Sequence, residues 1–78
     1  MKERFIGGLL VTLARLVPGQ VGLMYKVMTA EDVESSLRLW TFLFSMGKIV
    51  RAYRFGDEVT LLTDFASIEE AERFLVAA

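Results

Sequence analysis

The segment "AEDVESSLRLWTFLFSMGK", residues 30–48, has the period of a helix with two apolar stripes rather than one. Val33, Leu37, Trp40 and Phe44 form one stripe. Leu39, Leu43 and Met46 form a second, with Phe42 beside it. Only Glu31, Glu34, Arg38, Thr41 and Ser45 make a clear polar strip. One sheet covers one stripe, so the other needs the cover of a second element or a second chain. That demand falls on a chain of 78 residues, 54% of them hydrophobic. A domain of this size buries a modest fraction of its surface, and self-association or a protein partner is the simplest remedy for the apolar excess.

The helix has clear ends. Thr29 is a candidate N-cap with Asp32 in the capping-box position, and Gly47 suits a left-handed C-terminal cap. Before it, "QVGLMYKVM", residues 20–28, alternates as a strand, with Val21, Leu23, Tyr25 and Val27 on one face. After it, residues 49–55 and 58–65 read as a hairpin about Gly56-Asp57. That turn pairs Phe55 with Glu58, Tyr53 with Thr60 and Arg51 with Leu62. Val50, Ala52, Arg54, Val59, Leu61, Thr63 and Phe65 then form the core face. Ile49, Arg51, Tyr53, Phe55, Glu58, Thr60, Leu62 and Asp64 form an amphipathic outer face. "SIEEAERFL" opens a last helix with a Ser67–Glu70 capping box, burying Ala71, Phe74, Leu75 and Ala78.

Residues 2–17 place Phe5, Ile6, Leu9, Leu10, Leu13, Leu16 and Val17 in one helical arc, with Val11 the exception. This predicts an N-terminal amphipathic helix, weakened by Gly7-Gly8 and stopped by Pro18-Gly19. The expected architecture is a single α+β domain over 1–78, ordered α-β-α-β-β-α. It comprises the helix of residues 1–18 and a βαββα unit over 20–78. The sheet is three-stranded and antiparallel in the order 1-3-2, and Trp40 anchors either its core or a subunit contact.

From Gln20 onward, "VGLMYKVM", the helix, "IVRAYRFGDEVTLLTDF" and "SIEEAERFL" resemble the ferredoxin-like dimeric α/β-barrel superfamily, which includes small ligand-sensing domains of leucine-responsive-type regulators. The resemblance covers about three quarters of the chain. The fourth strand is missing and a helix stands in front. The missing strand leaves the first strand with an open edge. In that superfamily the outer sheet face meets a partner's sheet, which implies that the hairpin is an association surface.

The composition narrows the chemistry. With no cysteine there is no disulfide, thiol nucleophile or thiolate metal site. With no histidine, the commonest metal ligand and the usual general base are gone. No cofactor, metal spacing or phosphate loop is expected. The absence of cysteine is compatible with a cytoplasmic protein. The net charge of −1 is divided unevenly, at +3 over residues 1–28 and −4 over residues 29–78. The apolar run near the N-terminus is shorter than the ~20 residues of a membrane span, and no signal-peptide cleavage pattern follows it.

Four functions fit these residues. The first is a non-catalytic interaction or oligomerisation module, a homodimer or a small regulator or inhibitor of another protein. Its interface would be Leu39, Leu43, Met46, Ile49, Tyr53, Phe55 and Leu62. The second is a winged-helix DNA binder, since "LFSMGKIVRAYRFGDEVTLLTD" resembles a recognition helix and wing. Lys48, Arg51 and Arg54 would then contact phosphate, although "LRLWTFLF" offers few groups to read bases. The third is a cofactor-independent enzyme using Tyr25, Tyr53, Asp64, Arg51 and Arg54, against which stands the missing histidine. The fourth is membrane-surface attachment through residues 2–17, where packing on the Trp40 helix explains the same pattern. The first is the favoured reading.

Overall fold

A computed structural model describes residues 1–17 and 19–76. Its first seventeen residues overturn the expected N-terminal helix. They form two strands, β1 (Lys2–Ile6) and β2 (Leu9–Val17), paired antiparallel with Phe5 opposite Leu10 and Lys2 opposite Leu13. Gly7 and Gly8 are the turn, at φ 58° and 90°. Two successive positive φ values are what a two-residue hairpin of matching twist requires, and glycine adopts them without steric cost. The apolar pattern is therefore two-sided. Leu9, Val11 and Leu13 point to the core, while Leu10, Thr12 and Ala14 point to the other face.

β2 turns back into β3 (Gln20–Lys26), and Pro18 lies outside the described residues. Helix α1 (Ala30–Ser45) follows, then the hairpin β4 (Ile49–Phe55) and β5 (Glu58–Thr63), then helix α2 (Ile68–Val76). All pairings are antiparallel and the sheet order is β1-β2-β3-β5-β4. The architecture is thus a five-stranded sheet with two helices. The expected three-stranded sheet with three helices, in the order α-β-α-β-β-α, is incorrect. The edge of β3 left open by a missing fourth strand is covered by the chain's own β2.

Local signals set the remaining elements. Thr29 Oγ1 accepts from the Asp32 backbone N–H at 3.1 Å, and Asp32 Oδ2 accepts from the Thr29 N–H at 3.2 Å, which closes the capping box. At the other end of α1, the Lys48 N–H donates to the Leu43 carbonyl at 2.9 Å and the Gly47 N–H to Phe44, a Schellman ending. The β4–β5 register pairs Phe55 with Glu58, Tyr53 with Thr60 and Arg51 with Leu62, as the Gly56-Asp57 turn predicts. The Glu70 N–H donates to Ser67 Oγ at the start of α2. Ala78, expected on the buried face of α2, lies outside the described residues.

Both helices lie on one face of the sheet. Leu9, Val11 and Leu13 of β2, Val21, Leu23 and Tyr25 of β3, and Leu61 of β5 pack there against Leu39, Leu43, Phe65, Ala71 and Leu75. Phe42 of α1 meets Phe74 of α2 with ring centroids 5.3 Å apart. α2 packs against β1 and β2. Its Glu72 accepts from Lys2 and Arg4, each at 3.1 Å, and holds the β1 edge to the helix layer.

Candidate interaction surface

The opposite face of the sheet has no helix over it. Register alone places its residues in rows. One row runs Glu3, Thr12, Met24, Thr60, Tyr53 across all five strands. A second runs Ala14, Gly22, Leu62, Arg51 across four. At the level of the hairpin turns, Phe5 stands opposite Leu10, and Phe55 stands opposite Glu58. Phe5 is 79% exposed, Phe55 89% and Tyr53 52%. Charges are interspersed among these groups, and Lys26 pairs directly with Glu58.

A second uncovered apolar surface adjoins this one. α1 does bear two stripes, and their roles are the reverse of the expected ones. Leu39 and Leu43 are 6% and 0% exposed and are covered by the protein's own sheet. Val33, Leu37 and Phe44 are the exposed stripe, with half-buried Trp40 stacked on Phe44 at 5.0 Å between ring centroids. At 100° per residue this stripe lies roughly opposite Phe42 on the helix. Since Phe42 faces α2, the stripe faces the β4 side. β4 is the sheet edge there, and Val50 through Phe55 are exposed along it on both faces.

The seven residues expected at an interface therefore separate. Tyr53, Phe55 and Leu62 share the open face, Leu62 being half-buried. Leu39 and Leu43 are internal. Met46 is exposed past the end of α1, beside Phe42, Lys48, Phe65 and Phe74. Ile49 pairs with Thr63, and the register shift between Ile49 and Arg51 turns it to the helix side, where it packs against the core. Phe5 and Leu10 were hidden from sequence reasoning by the helical reading of residues 2–17. The alternation Leu9-Leu10-Val11-Thr12-Leu13-Ala14 after Gly-Gly is the signal for them.

The three cations proposed for nucleic acid do not form a patch. Arg51 is on the open face. Arg54 is opposite Val59 on the helix side, and its Nε donates to the Gly56 carbonyl at 3.0 Å. Lys48 Nζ sits over the rings of Phe65 and Phe74, at 5.6 and 5.9 Å. α1 is one uninterrupted helix packed on the sheet.

The candidate catalytic groups are equally dispersed. Tyr25 is buried under α1 with its hydroxyl 2.8 Å from Ser36 Oγ. Burial pushes its phenol pKa above the ordinary value, and the bond to Ser36 opposes that shift. Tyr53 and Arg51 are on the other side of the sheet, and Asp64 is exposed. Among the described residues no group of three acidic side chains is placed to hold a metal ion. A cleft of about 570 Å³ opens between the β1–β2 turn and the two helices, with Ile6, Leu39, Phe42 and Leu75 below and Arg38 at the rim. Arg38 there donates to Ser35 Oγ at 3.1 Å. Among the described residues, no helix is long and apolar enough to cross a membrane. No protein-family model, no curated protein and no solved structure matches the chain.

Proposed function

We propose that this chain is a non-catalytic protein-interaction module, acting by docking another polypeptide on the surface that its helices leave uncovered. The observation that carries the reading is the open sheet face with Phe5, Leu10, Tyr53 and Phe55 exposed. An antiparallel sheet covered on one side ordinarily alternates apolar-in and polar-out. A monomeric protein rarely leaves aromatic groups contiguous with further apolar surface, and such patches commonly mark protein contacts. The aromatic residues and arginine of this face are residue types enriched at interface centres. The scattering of Tyr25, Tyr53, Asp64, Arg51 and Arg54 supports binding rather than catalysis.

A photo-crosslinking phenylalanine analogue in place of Tyr53 tests the proposal in living cells. The expected result is a covalent adduct with another polypeptide chain, either a second copy or a different protein. The same probe at Thr41, on the polar strip of α1, should give little. Equal, weak labelling from both positions would overturn it.

A further inference from the structure

We infer that the polypeptide this chain docks is a second copy of itself, added edge to edge along β4 about a two-fold axis through Ala52, beside the open face of the sheet rather than over it. The inference rests on the interaction-module reading and names its partner. Three observations carry it.

The first is the state of the two sheet edges. β1 is short, carries Lys2, Glu3 and Arg4 in succession, and is tied to α2 through Glu72. The one antiparallel self-pairing that uses all five of its residues sets Arg4 against Arg4. Charges of that kind blunt an edge. β4 has seven residues, and Val50 through Phe55 are exposed. Phe55 and Glu58 close the two-residue turn as a hydrogen-bonded pair, so the N–H and C=O of Ala52 and Arg54 point outward, away from β5.

The second is charge and face complementarity within β4. Side chains stay on their proper faces only if paired residue numbers sum to an even number. The register centred on Ala52 pairs Ala52 with Ala52 and Arg51 with Tyr53, within the regular part of the strand that follows the shift at Ile49. No arginine faces an arginine, and each Arg51 guanidinium meets a tyrosine ring, a favourable cation–π arrangement.

The third is the second apolar surface. A two-fold axis perpendicular to the sheet keeps all four helices on one side. It turns the Val33, Leu37, Trp40 and Phe44 stripe of each α1 toward its counterpart, across a trough floored by Ala52. One operation thus covers the free edge and the uncovered helix stripe, and joins two five-stranded sheets into one of ten strands.

The chain has no cysteine, so a single introduced thiol reports the contact. In Ala52→Cys the two thiols stand on a hydrogen-bonded antiparallel pair, with Cα atoms about 5.5 Å apart, a separation that suits a disulfide. Air oxidation of the full chain should give the covalent dimer about tenfold faster than Thr41→Cys, whose thiols meet only by collision. Ala52→Pro removes the outward N–H, a change an edge strand tolerates. It should remain folded by circular dichroism and sediment as the 8.8 kDa monomer. Equal oxidation rates for the two thiol variants, or a dimer that persists in Ala52→Pro, would overturn the pairing. An adduct of the position-53 probe with a different protein, without the Ala52→Cys disulfide, would sink this pairing and leave the module reading intact. Failure of both would remove the two together.

Discussion

Leu16 lies across Gly22 on the open face of the sheet. A β-carbon built on Gly22 would overlap Leu16 Cδ1 and stand 2.8 Å from its Cγ. The register shift between Arg15 and Val17 bends the end of β2 so that Leu16 reaches this place. Gly22 is therefore a packing site rather than a turn, and the Leu16 side chain fills the space over it. The two should be energetically coupled. Leu16→Ala should destabilise the parent chain, and should have little effect once Gly22→Ala has already displaced the leucine. A double-mutant cycle by urea denaturation should give a coupling of about 0.5–1 kcal/mol. Strict additivity would show that the leucine does not rest there.

Thr63 is a buried polar residue with a defined task. Its Oγ1 donates to the Val21 carbonyl at 2.7 Å and accepts from the Phe65 N–H at 3.4 Å, where β5 ends and the chain turns toward α2. Thr63→Val keeps the shape and removes the donor, leaving the Val21 carbonyl without that partner in the core. The expected loss is about 1–3 kcal/mol, seen as a lower urea midpoint with an unchanged slope. Full retention of stability would mean that the side-chain bond contributes nothing net.

Tyr25 links β3 to α1 through Ser36 and gives the fold an alkaline limit. Its pKa is raised by burial, so the folded chain holds the phenol proton where the unfolded chain has lost it. This contribution to stability is fully present below pH 10, the ordinary tyrosine value, and is lost progressively as pH rises through the folded-state value. Tyr25→Phe should cost about 0.5–1.5 kcal/mol at neutral pH through the lost hydrogen bond. It should also flatten the decline in melting temperature above pH 10. A variant that declines as steeply as the parent would assign that decline to other groups.

The parts of the fold that were legible in the sequence are those specified by short-range chemistry. Thr29 with Asp32, Gly47 and Gly56-Asp57 each stand where their residues predict, and Ser67 Oγ caps the Glu70 N–H, one half of the expected capping box. Residues 2–17 were misread because leucines placed next to one another satisfy both periods. Leu9 and Leu10 fall in one helical arc, yet point to opposite faces of a strand. Val11, the one exception to the arc, is fully buried, as the strand period requires. The Gly7-Gly8 pair, costly in a helix, is the turn that allows the alternative. The choice between the stripes of α1 was not legible for a different reason. It depends on how the helix rolls against β2 and α2, and those elements were assigned incorrectly or not placed. Tyr53, Phe55 and Leu62 were found because turn geometry fixes their face locally; Leu39 and Leu43 were misplaced because tertiary packing decides theirs.

The exposed stripe of α1 separates folding from association. Phe44 stacks on Trp40 yet is 62% exposed, so Phe44→Ser should change the stability of the monomer by no more than about 0.5 kcal/mol. Trp40 is half-buried and packs against the core, so Trp40→Ala should cost about 1–2 kcal/mol, less than the full-burial value. In an associating protein, the parent melting temperature rises with protein concentration, because mass action stabilises the folded dimer. Phe44→Ser should abolish that concentration dependence while melting near the parent's value at high dilution. Trp40→Ala should lower the melt at every concentration and weaken the dependence as well. Calorimetry over a hundredfold range of concentration checks both, with sedimentation of the same samples. If the parent melts at one temperature throughout, or Phe44→Ser unfolds the chain at all dilutions, the stripe serves the monomer's own core and not a partner.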